Sequence, residues 1–441
     1  MKYIPKYDPN YKPAYLELNK FFKTSTRVLS IAVTRNNGLT YRKDIPINDN
    51  FEESYFYVER IIKTLLWLVG GYKIYVSGDY KIYEKLKEDY SANGARSFDY
   101  KFMSNVYENE FEVLYVEKEK LPENKGESLK IGGHIKGARI GFDAGGSDRK
   151  VSAVKDGEVL FSEEVIWHPK LNEDYRYHYE EIKKAFQSAA SKLGKVDAIG
   201  VSSAGIYIDN NVRVASLFLK INETDFNNHV KTMYKDIARE FGDIPLVVAN
   251  DGDVAALAGA MELNDTSILG IAMGTSEAAG YINKDGGING WLNELAFVPV
   301  DFNKNAMVDE WSGDYGCGVK YFSQDGVIKL AEYANIKLSG TPAEKLVQMQ
   351  NMCKEGNEVA LDVFKDIGIY FGYAVAYYSM YYDLKYLLIL GRVTSGIGGT
   401  LVIENATKVL QDLNLDIKLV TPDEKSKRLG QAVVAASLPE L

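Results

Sequence analysis

The chain has 441 residues, 46% of them hydrophobic and 26% charged, a composition that is typical of globular proteins and excludes a disordered, collagen-like or disulfide-rich chain. Its net charge of −9 argues against a surface that coats nucleic acid, and no apolar run reaches the length of a membrane span, so neither a nucleic-acid nor a membrane partner is expected. Its two cysteines cannot form a disulfide framework or a four-thiolate metal site, and with an N-terminus that lacks an apolar signal segment they predict a cytoplasmic protein.

The first 118 residues alternate between strand-like and helix-like patterns. The turn signal Asn36-Asn37-Gly38 predicts a hairpin whose second strand is closed by Pro46, and Gly70 with Gly71 ends the first strong helical pattern. In chain order the predicted elements are a strand over 27–33, a strand over 39–45, a helix over 51–68, a strand over 72–76, a helix over 80–90 and a strand over 111–115. Residues 1–118 are therefore predicted to form an α/β domain of unknown role.

A segment rich in charge, glycine and proline over residues 119–137 predicts a linker. From residue 138 the order is consistently strand, turn, helix and strand, which favours a sheet with helices packed on it. The predicted elements are a strand beginning at 138, a helix over 227–241, a strand over 246–249, a helix over 253–263 and a strand over 268–273.

The first motif with chemical potential is IGFDAGGSDRK over residues 140–150. A strand delivers Asp143, Gly145 and Gly146 let the backbone approach a ligand closely, and Ser147 adds a hydroxyl. Backbone N–H groups in such a turn suit phosphate, and an acidic residue beside them suits Mg²⁺ held through water. A plain hairpin turn with glycine at positive φ is an equally good interpretation of this motif alone.

The second motif, VVANDGDVAALAGA over residues 247–260, is a strand that ends in Asn250 and Asp251 before a helix of small residues. Because α/β folds place reactive groups at the carboxyl ends of strands, Asp251 is a candidate functional residue. The alternative is that Asp251 or Asp253 caps the helix, and for Asp253 capping is the favoured interpretation.

Two further turns follow predicted strands. LGIAMGTSEAAG over residues 269–280 contains Gly274, Thr275 and Ser276, which could hold phosphate oxygens. LLILGRVTSGIGG over residues 387–399 runs from an apolar strand through Gly391 into a helix whose N-terminus could face a nucleotide. Each turn by itself is weak evidence.

In this order the four motifs resemble the sugar-kinase, actin and heat-shock-chaperone superfamily and, in detail, the ROK family of sugar kinases and sugar-responsive regulators. The resemblance covers residues 138–441 and includes the turn Ser203-Ala204-Gly205 and a closing helix over 430–437. It implies an α/β fold with two actin-like (ribonuclease H-like) lobes around a nucleotide and sugar cleft, added to the N-terminal α/β domain. Residues 138–262 would form the first lobe, with a phosphate loop and a catalytic aspartate, and residues 263–441 the second, with a second phosphate turn and an adenosine pocket.

The resemblance also implies roles for individual residues. Those implied to face ATP are Asp143 (with Mg²⁺ held through water), Gly145, Gly146, Ser147, Gly274, Thr275 and Gly391. Those implied to bind the sugar are Gly205, Asn250, Asp251 and Glu294. Among them, Asp251 would be the catalytic base.

Several positions depart from the family pattern. Phe297 stands where the family's zinc motif has a histidine, and Glu310 and Ser312 replace its first two cysteines. Since Cys317 alone of that set remains, bound zinc is not expected. Val319 replaces a glutamate that would touch the sugar, and the turn GTSEA replaces a glycine-rich one.

These features predict a phosphotransferase of carbohydrate metabolism that uses ATP and Mg²⁺ to phosphorylate a hexose or N-acetylhexosamine hydroxyl, with Asp251 as general base. The predicted partners are the sugar and ATP. The departures keep a second interpretation open, a non-catalytic pseudokinase or regulator of the same family that senses a sugar or nucleotide. The identity of the sugar and the oligomeric state, a homodimer among the alternatives, are also open.

Overall fold

The structure, a computed structural model, describes residues 1–422 and 424–441, and the side chains of residues 423–429 lie outside the description. Its strands are β1 (Arg27–Thr34), β2 (Thr40–Ile47), β3 (Lys73–Ser77), β4 (Glu112–Tyr115), β5 (Ala138–Ala144), β6 (Asp148–Lys155), β7 (Glu158–Ile166), β8 (Ala198–Ser203), β9 (Ile206–Ile208), β10 (Asn211–Val214), β11 (Leu246–Asn250), β12 (Ile268–Met273), β13 (Glu277–Ile282), β14 (Tyr386–Leu390) and β15 (Lys418–Val420). Its helices are α1 (Ala14–Thr24), α2 (Phe51–Leu68), α3 (Tyr80–Asp89), α4 (Ser97–Tyr107), α5 (Tyr175–Ala190), α6 (Glu223–Asp225), α7 (Met233–Arg239), α8 (Asp251–Leu263), α9 (Gln324–Tyr333), α10 (Pro342–Lys354), α11 (Glu358–Tyr378), α12 (Gly396–Asp412) and α13 (Glu424–Ala436).

The chain forms two compact units. The larger unit comprises Met1–Glu127, Ile271–Ala279 and Trp291–Thr421, and the smaller unit comprises Ser128–Gly270, Gly280–Gly290 and Pro422–Leu441. The N-terminal region thus shares a unit with residues 291–421. The predicted domain and linker boundaries, 1–118, 119–137, 138–262 and 263–441, stay predictions.

The N-terminal region contains a four-stranded sheet in the order β2-β1-β3-β4. Strand β1 is antiparallel to β2 and β3, and β3 is parallel to β4. The predicted hairpin is present, but Pro46 does not close it, because Pro46 pairs with Val28 inside β2. Proline is tolerated there because β2 is an edge strand of the sheet.

Helix α2 is the most buried helix of this region, and its bounds agree with the predicted helix over 51–68. Asn50 caps it, since the Asn50 side chain accepts the N–H of Glu53 at 3.2 Å. Every residue of α2 from Tyr57 to Leu68 is buried. Helices α1 and α4 are not predicted from the sequence, because their aromatic residues are weak helix formers.

The smaller unit is built on a five-stranded sheet in the order β11-β8-β5-β6-β7. Strands β11, β8 and β5 are parallel, and β6 and β7 continue the sheet antiparallel. Asp143 lies opposite Ser202, and Asn250 lies opposite Ser203. The parallel strands therefore end at one edge of the sheet, where they bring together the first two motifs and the turn Ser203-Ala204-Gly205.

The predicted single helix over 227–241 is wrong. Residues Phe226–Val230 form a π-helical turn, and α7 begins only at Met233. Thr232 stands between them with φ −106° and ψ 6°, outside helical geometry. The stretch Asn227-Asn228-His229 and the β-branched Thr232 have low helix propensity, which explains the break.

A further four-stranded sheet has the order β13-β12-β14-β15, with β14 parallel to β15, and β9 and β10 form an antiparallel two-stranded sheet. Helices α11 and α12 pack on each other. The six tyrosines in and after α11 are all buried, so their rings do not form a surface for stacking with bases: Tyr370, Tyr373, Tyr377, Tyr378, Tyr381 and Tyr382. Among the described residues, no helix combines the length and the apolar character that crossing a membrane requires.

Candidate active site

The predicted phosphate loop is the hairpin between β5 and β6 in the smaller unit. Neither Gly145 nor Gly146 has a positive φ, so the interpretation that assumed a positive-φ turn is wrong in that detail. Glycine is needed at 145 for close packing, since a Cβ there would lie 2.6 Å from Asp148 O. The Nε1–H of buried Trp167 donates to Gly145 O at 2.8 Å and so holds the loop against the core. Gly146 and Ser147 remain exposed at its tip.

Asp143 is the penultimate residue of β5, just before this loop. Its Oδ1 accepts a hydrogen bond from Ser202 Oγ at 3.0 Å. Burial raises the pKa of Asp143 to about 6, the hydrogen bond from Ser202 opposes the shift, and the nearby Asp251 carboxylate adds to it. Asp143 is therefore a carboxylate that a bound cation would stabilise by displacing a proton.

Asn250 joins two of the predicted sugar-site elements. Its Oδ1 accepts the N–H of Gly252 at 2.8 Å and so caps α8. Its Nδ2 donates to Gly205 O at 2.7 Å. One side chain thus fixes both the helix start and the Gly205 turn.

The capping role considered for Asp251 and Asp253 is taken by this asparagine. Asp253, for which capping was the favoured interpretation, is buried and instead accepts the N–H of Tyr281 at 3.1 Å. Asp251 is the first residue of α8, and its Oδ1 accepts the N–H of Gly252 at 3.0 Å. Burial raises the pKa of Asp251, while this hydrogen bond lowers it in part. A carboxylate with a raised pKa is a better proton acceptor.

The Gly205 turn requires glycine. Its φ is +135°, and a Cβ there would lie 2.4 Å from Val214 O. Two residues that the sequence analysis did not single out support this turn: Tyr207 Oη donates to Ser203 Oγ at 2.7 Å, and Tyr234 Oη lies 3.4 Å from the same oxygen. Isolated tyrosines carry no local signal of such a role, so only the structure identifies them.

In the larger unit, the predicted second phosphate turn borders a pocket of about 600 Å³, which is within the usual size for a small-molecule site. Its lining includes Gly274, Thr275, Gln324, Gln348, Arg392 and Ser395. Gly391 packs behind this turn with φ +96°, where a Cβ would lie 2.2 Å from Met273 O. Glycine at 391 therefore lets the turn after β14 approach the end of β12.

Glu294 lies in the larger unit, in a segment held by helix α2. The Glu294 N–H donates to Trp67 O at 2.9 Å. The rings of Phe297 and Trp67 lie 4.2 Å apart between centroids. Phe297, which stands where the resemblance implies a zinc-binding histidine, therefore makes an aromatic contact with the N-terminal region.

Glu277, the first residue of β13, was not singled out in the sequence analysis. It is 4% exposed, and among the described residues neither of its carboxyl oxygens has a hydrogen-bond partner. Gly318 makes room for it, because a Cβ at 318 would lie 2.4 Å from Glu277 Oε2. Burial, with a smaller effect of the Glu294 charge, raises the pKa of Glu277 well above its usual value.

The segment that replaces the zinc motif is held by protein contacts. Glu310 pairs with Lys320 at 2.5 Å, and Ser312 Oγ donates to Asp309 Oδ2 at 2.7 Å. Burial raises the pKa of the Cys317 thiol to about 12, so the thiolate that zinc requires is disfavoured. Within the described part of the chain, no group of three or more His, Cys, Asp or Glu side chains is arranged to hold a metal ion. The expected lack of zinc stays a prediction.

A family model described as the ROK family matches residues 139–421, well over half of the chain. A search of curated proteins found no match.

Three solved structures are similar in fold. A ROK hexokinase from Thermus thermophilus is 17% identical, with a TM-score of 0.52 over 68% of this chain and 96% of that chain. A protein from Listeria monocytogenes whose name proposes N-acetylmannosamine kinase activity is 15% identical, with a TM-score of 0.51 over 68% and 97%. A ROK family transcriptional regulator, described as a homologue of the E. coli MLC protein, is 18% identical, with a TM-score of 0.52 over 69% and 79%. These likenesses confirm the predicted actin-like α/β fold.

Proposed function

The chain belongs to the ROK family, and on that premise we propose that it is an ATP-dependent kinase that phosphorylates a hydroxyl group of a hexose or N-acetylhexosamine. The observation that carries the proposal is the meeting of Asp143 and Asp251 at one edge of the smaller unit's sheet. The two carboxylates are close enough for the charge of Asp251 to raise the pKa of Asp143. One lies beside a phosphate-type loop, and the other begins a helix beside the Gly205 turn.

In this proposal Asp251 accepts the proton of the attacking sugar hydroxyl. Burial raises the pKa of Asp251 above its ordinary value, which strengthens it as a base. Asn250 and Gly205, joined by a 2.7 Å hydrogen bond, orient the sugar beside that base. The Glu294 carboxylate accepts hydrogen bonds from sugar hydroxyl groups.

The phosphate side of the proposal rests on Asp143 and the backbone around it. The Asp143 carboxylate is half-buried, and burial disfavours its negative charge when no cation is nearby. A hard cation that prefers oxygen ligands would compensate this charge. When bound, Mg²⁺ would neutralise charge on the transferred phosphoryl group. In the smaller unit, Gly145, Gly146 and Ser147 offer backbone N–H groups to phosphate. In the larger unit, the pocket beside Gly274 and Thr275 has a size that suits part of a nucleotide. Phosphoryl transfer depends mainly on such positioning and charge neutralisation.

The second candidate is a regulator that binds a sugar or nucleotide without turnover. Its support is that two apolar residues, Phe297 and Val319, stand where the resemblance implies a histidine and a glutamate, and that Ser276 replaces a glycine. A site with fewer polar contacts discriminates and orients a sugar less strongly. Asp143, Asn250 and Asp251 together favour the kinase.

A direct assay distinguishes these functions. The purified protein is given ATP and Mg²⁺ with glucose, mannose, N-acetylglucosamine or N-acetylmannosamine, and ADP release is measured against a reaction without sugar. The proposal expects sugar-dependent ADP release with at least one of the four. Binding of a sugar by calorimetry without ADP release would support the regulator instead.

A further inference from the structure

Helix α2 of the N-terminal region ends against the segment that contains Glu294. The last turn of any α-helix leaves carbonyl groups without intrahelical partners. In α2 two of these carbonyls are satisfied from outside: Trp67 O accepts the N–H of Glu294 at 2.9 Å, and Leu68 O accepts the N–H of Asn293 at 3.0 Å. Asn293 itself has a positive φ of 53°. The backbone of Glu294 is therefore placed by α2.

The side chains of α2 hold the same segment. The Trp67 ring packs on Phe297, and its Nε1–H donates to Asp99 Oδ1 at 2.6 Å. Lys63 Nζ pairs with Asp99 Oδ1 at 2.7 Å. Trp67, Lys63 and Asp99 are all essentially unexposed. The orientation of the Trp67 ring is thus fixed from both sides, and the ring cannot itself touch a ligand.

We propose that α2 is a positioning element for the sugar site, with Trp67 as its central positioning residue, acting through Glu294. The N-terminal region then helps to position Glu294, the proposed sugar ligand of the larger unit. This inference rests on the proposed function, because it takes Glu294 as a sugar ligand. It adds a role for residues that the ROK family match at 139–421 does not include.

The test compares buried substitutions in α2. Trp67→Leu removes the ring contact with Phe297, Trp67→Met fills more of the same volume without a ring, and Trp67→Phe keeps a ring but loses the bond to Asp99. The matched control is Thr64→Val, which removes a buried 2.7 Å hydrogen bond from α2 to Tyr377 Oη and leaves the Phe297 contact in place. Melting temperature, kcat and the KM values for ATP and for the fastest of the four assayed sugars are measured for each variant.

We expect Trp67→Leu and Trp67→Met to raise the sugar KM by about tenfold or more, since displacing a ligand-binding group by a small distance is costly. The KM for ATP should stay near the wild-type value, and Trp67→Phe should recover most of the sugar affinity. Thr64→Val should lower the melting temperature and leave the sugar KM unchanged. A folded Trp67→Leu or Trp67→Met protein with a wild-type sugar KM would overturn the inference, as would equal changes in both KM values.

Glu294→Gln separates this inference from the proposed function. If Glu294→Gln raises the sugar KM and the Trp67 variants do not, the positioning role alone is wrong. If Glu294→Gln leaves the sugar KM unchanged, Glu294 is not a sugar ligand, and the sugar-site assignment fails together with the inference.

Discussion

Arg60 Nη1 lies 3.1 and 2.9 Å from the two carboxylate oxygens of Asp314, and both side chains are buried. Asp314 also pairs with Arg96 at 2.9 Å and with Lys63 at 3.8 Å. Glu59 pairs with Arg60, and Asp99 pairs with Lys63. The cluster thus contains three cationic and three acidic side chains. It ties the N-terminal region to Asp314, which lies in the segment where the resemblance implies a zinc motif.

Asp314→Asn should destabilise the protein strongly, because it leaves one uncompensated positive charge in the interior. Removing one partner of a buried ion pair typically costs about 3–5 kcal/mol. The control is Glu88→Gln, which breaks the exposed pair with Lys85 and should cost about 1 kcal/mol or less. Denaturant unfolding of both variants measures the difference, and equal midpoints would show that the buried cluster does not stabilise the fold.

Glu277→Gln should raise the melting temperature at pH 7, because a buried carboxylate without a partner opposes folding. The pKa of Glu277 is raised in the folded state, so its favourable contribution is complete below its ordinary value of 4.5 and is lost as the pH rises through the folded pKa. The advantage of the variant should therefore shrink as the pH falls toward 4.5. Thermal melts between pH 4.5 and 8 measure this, and a variant less stable than wild type at pH 7 would be the contrary result.

Turnover should fall as the pH drops below about 6, since that is where the Asp143 carboxylate takes up a proton. The folded-state pKa of Asp143 is raised, so its contribution to stability is complete below 3.8 and is lost as the pH rises through about 6. Asp143→Asn should accordingly melt higher than wild type at pH 7 while losing use of Mg²⁺ and ATP. A flat pH–rate profile from pH 5 to pH 7 would argue against the role of Asp143.

The folded protein should contain much less than one zinc ion per chain and should keep its melting temperature in a chelator. The three residues that stand where the resemblance implies zinc ligands all have protein partners: Phe297 packs on Trp67, Glu310 pairs with Lys320, and Ser312 bonds to Asp309. Elemental analysis of protein purified without chelator is the measurement. One tightly bound zinc per chain would contradict the expectation.

Local patterns predict the elements of this chain well where periodicity is strong. The helix predicted over 51–68 is present as α2, with Asn50 as its cap. Asn250 and Gly205 lie at the ends of neighbouring parallel strands, and such strand ends meet at one edge of a sheet. The proximity of these two residues could therefore be predicted from the sequence. The sequence does not predict the break before α7, because the apolar spacing over 227–241 favours one continuous helix despite the low helix propensity of Thr232.

Contacts between distant segments could not be predicted in this way. Nothing local to Trp67 indicates that it packs on Phe297, and nothing local to Arg60 indicates that it pairs with Asp314. Glu277 was overlooked for a different physical reason: a carboxylate is rarely buried without a partner, so a strand residue of that type is expected to face solvent. A buried exception of this kind is found only once the structure is known.

The most direct test of the account is the turnover of Asp251→Asn, with Asp253→Asn as control. Both residues lie in the first turn of α8, but the Asp253 carboxylate already accepts a hydrogen bond from the N–H of Tyr281. Asparagine keeps the shape of Asp251 and removes the proton acceptor, so kcat should fall on the order of 10²-fold or more while the sugar KM changes little. Asp253→Asn should melt lower and keep its kcat. If Asp251 served only the helix terminus, its variant would lose about 1 kcal/mol or less of stability and keep its turnover. A folded Asp251→Asn protein with wild-type kcat would contradict the kinase assignment.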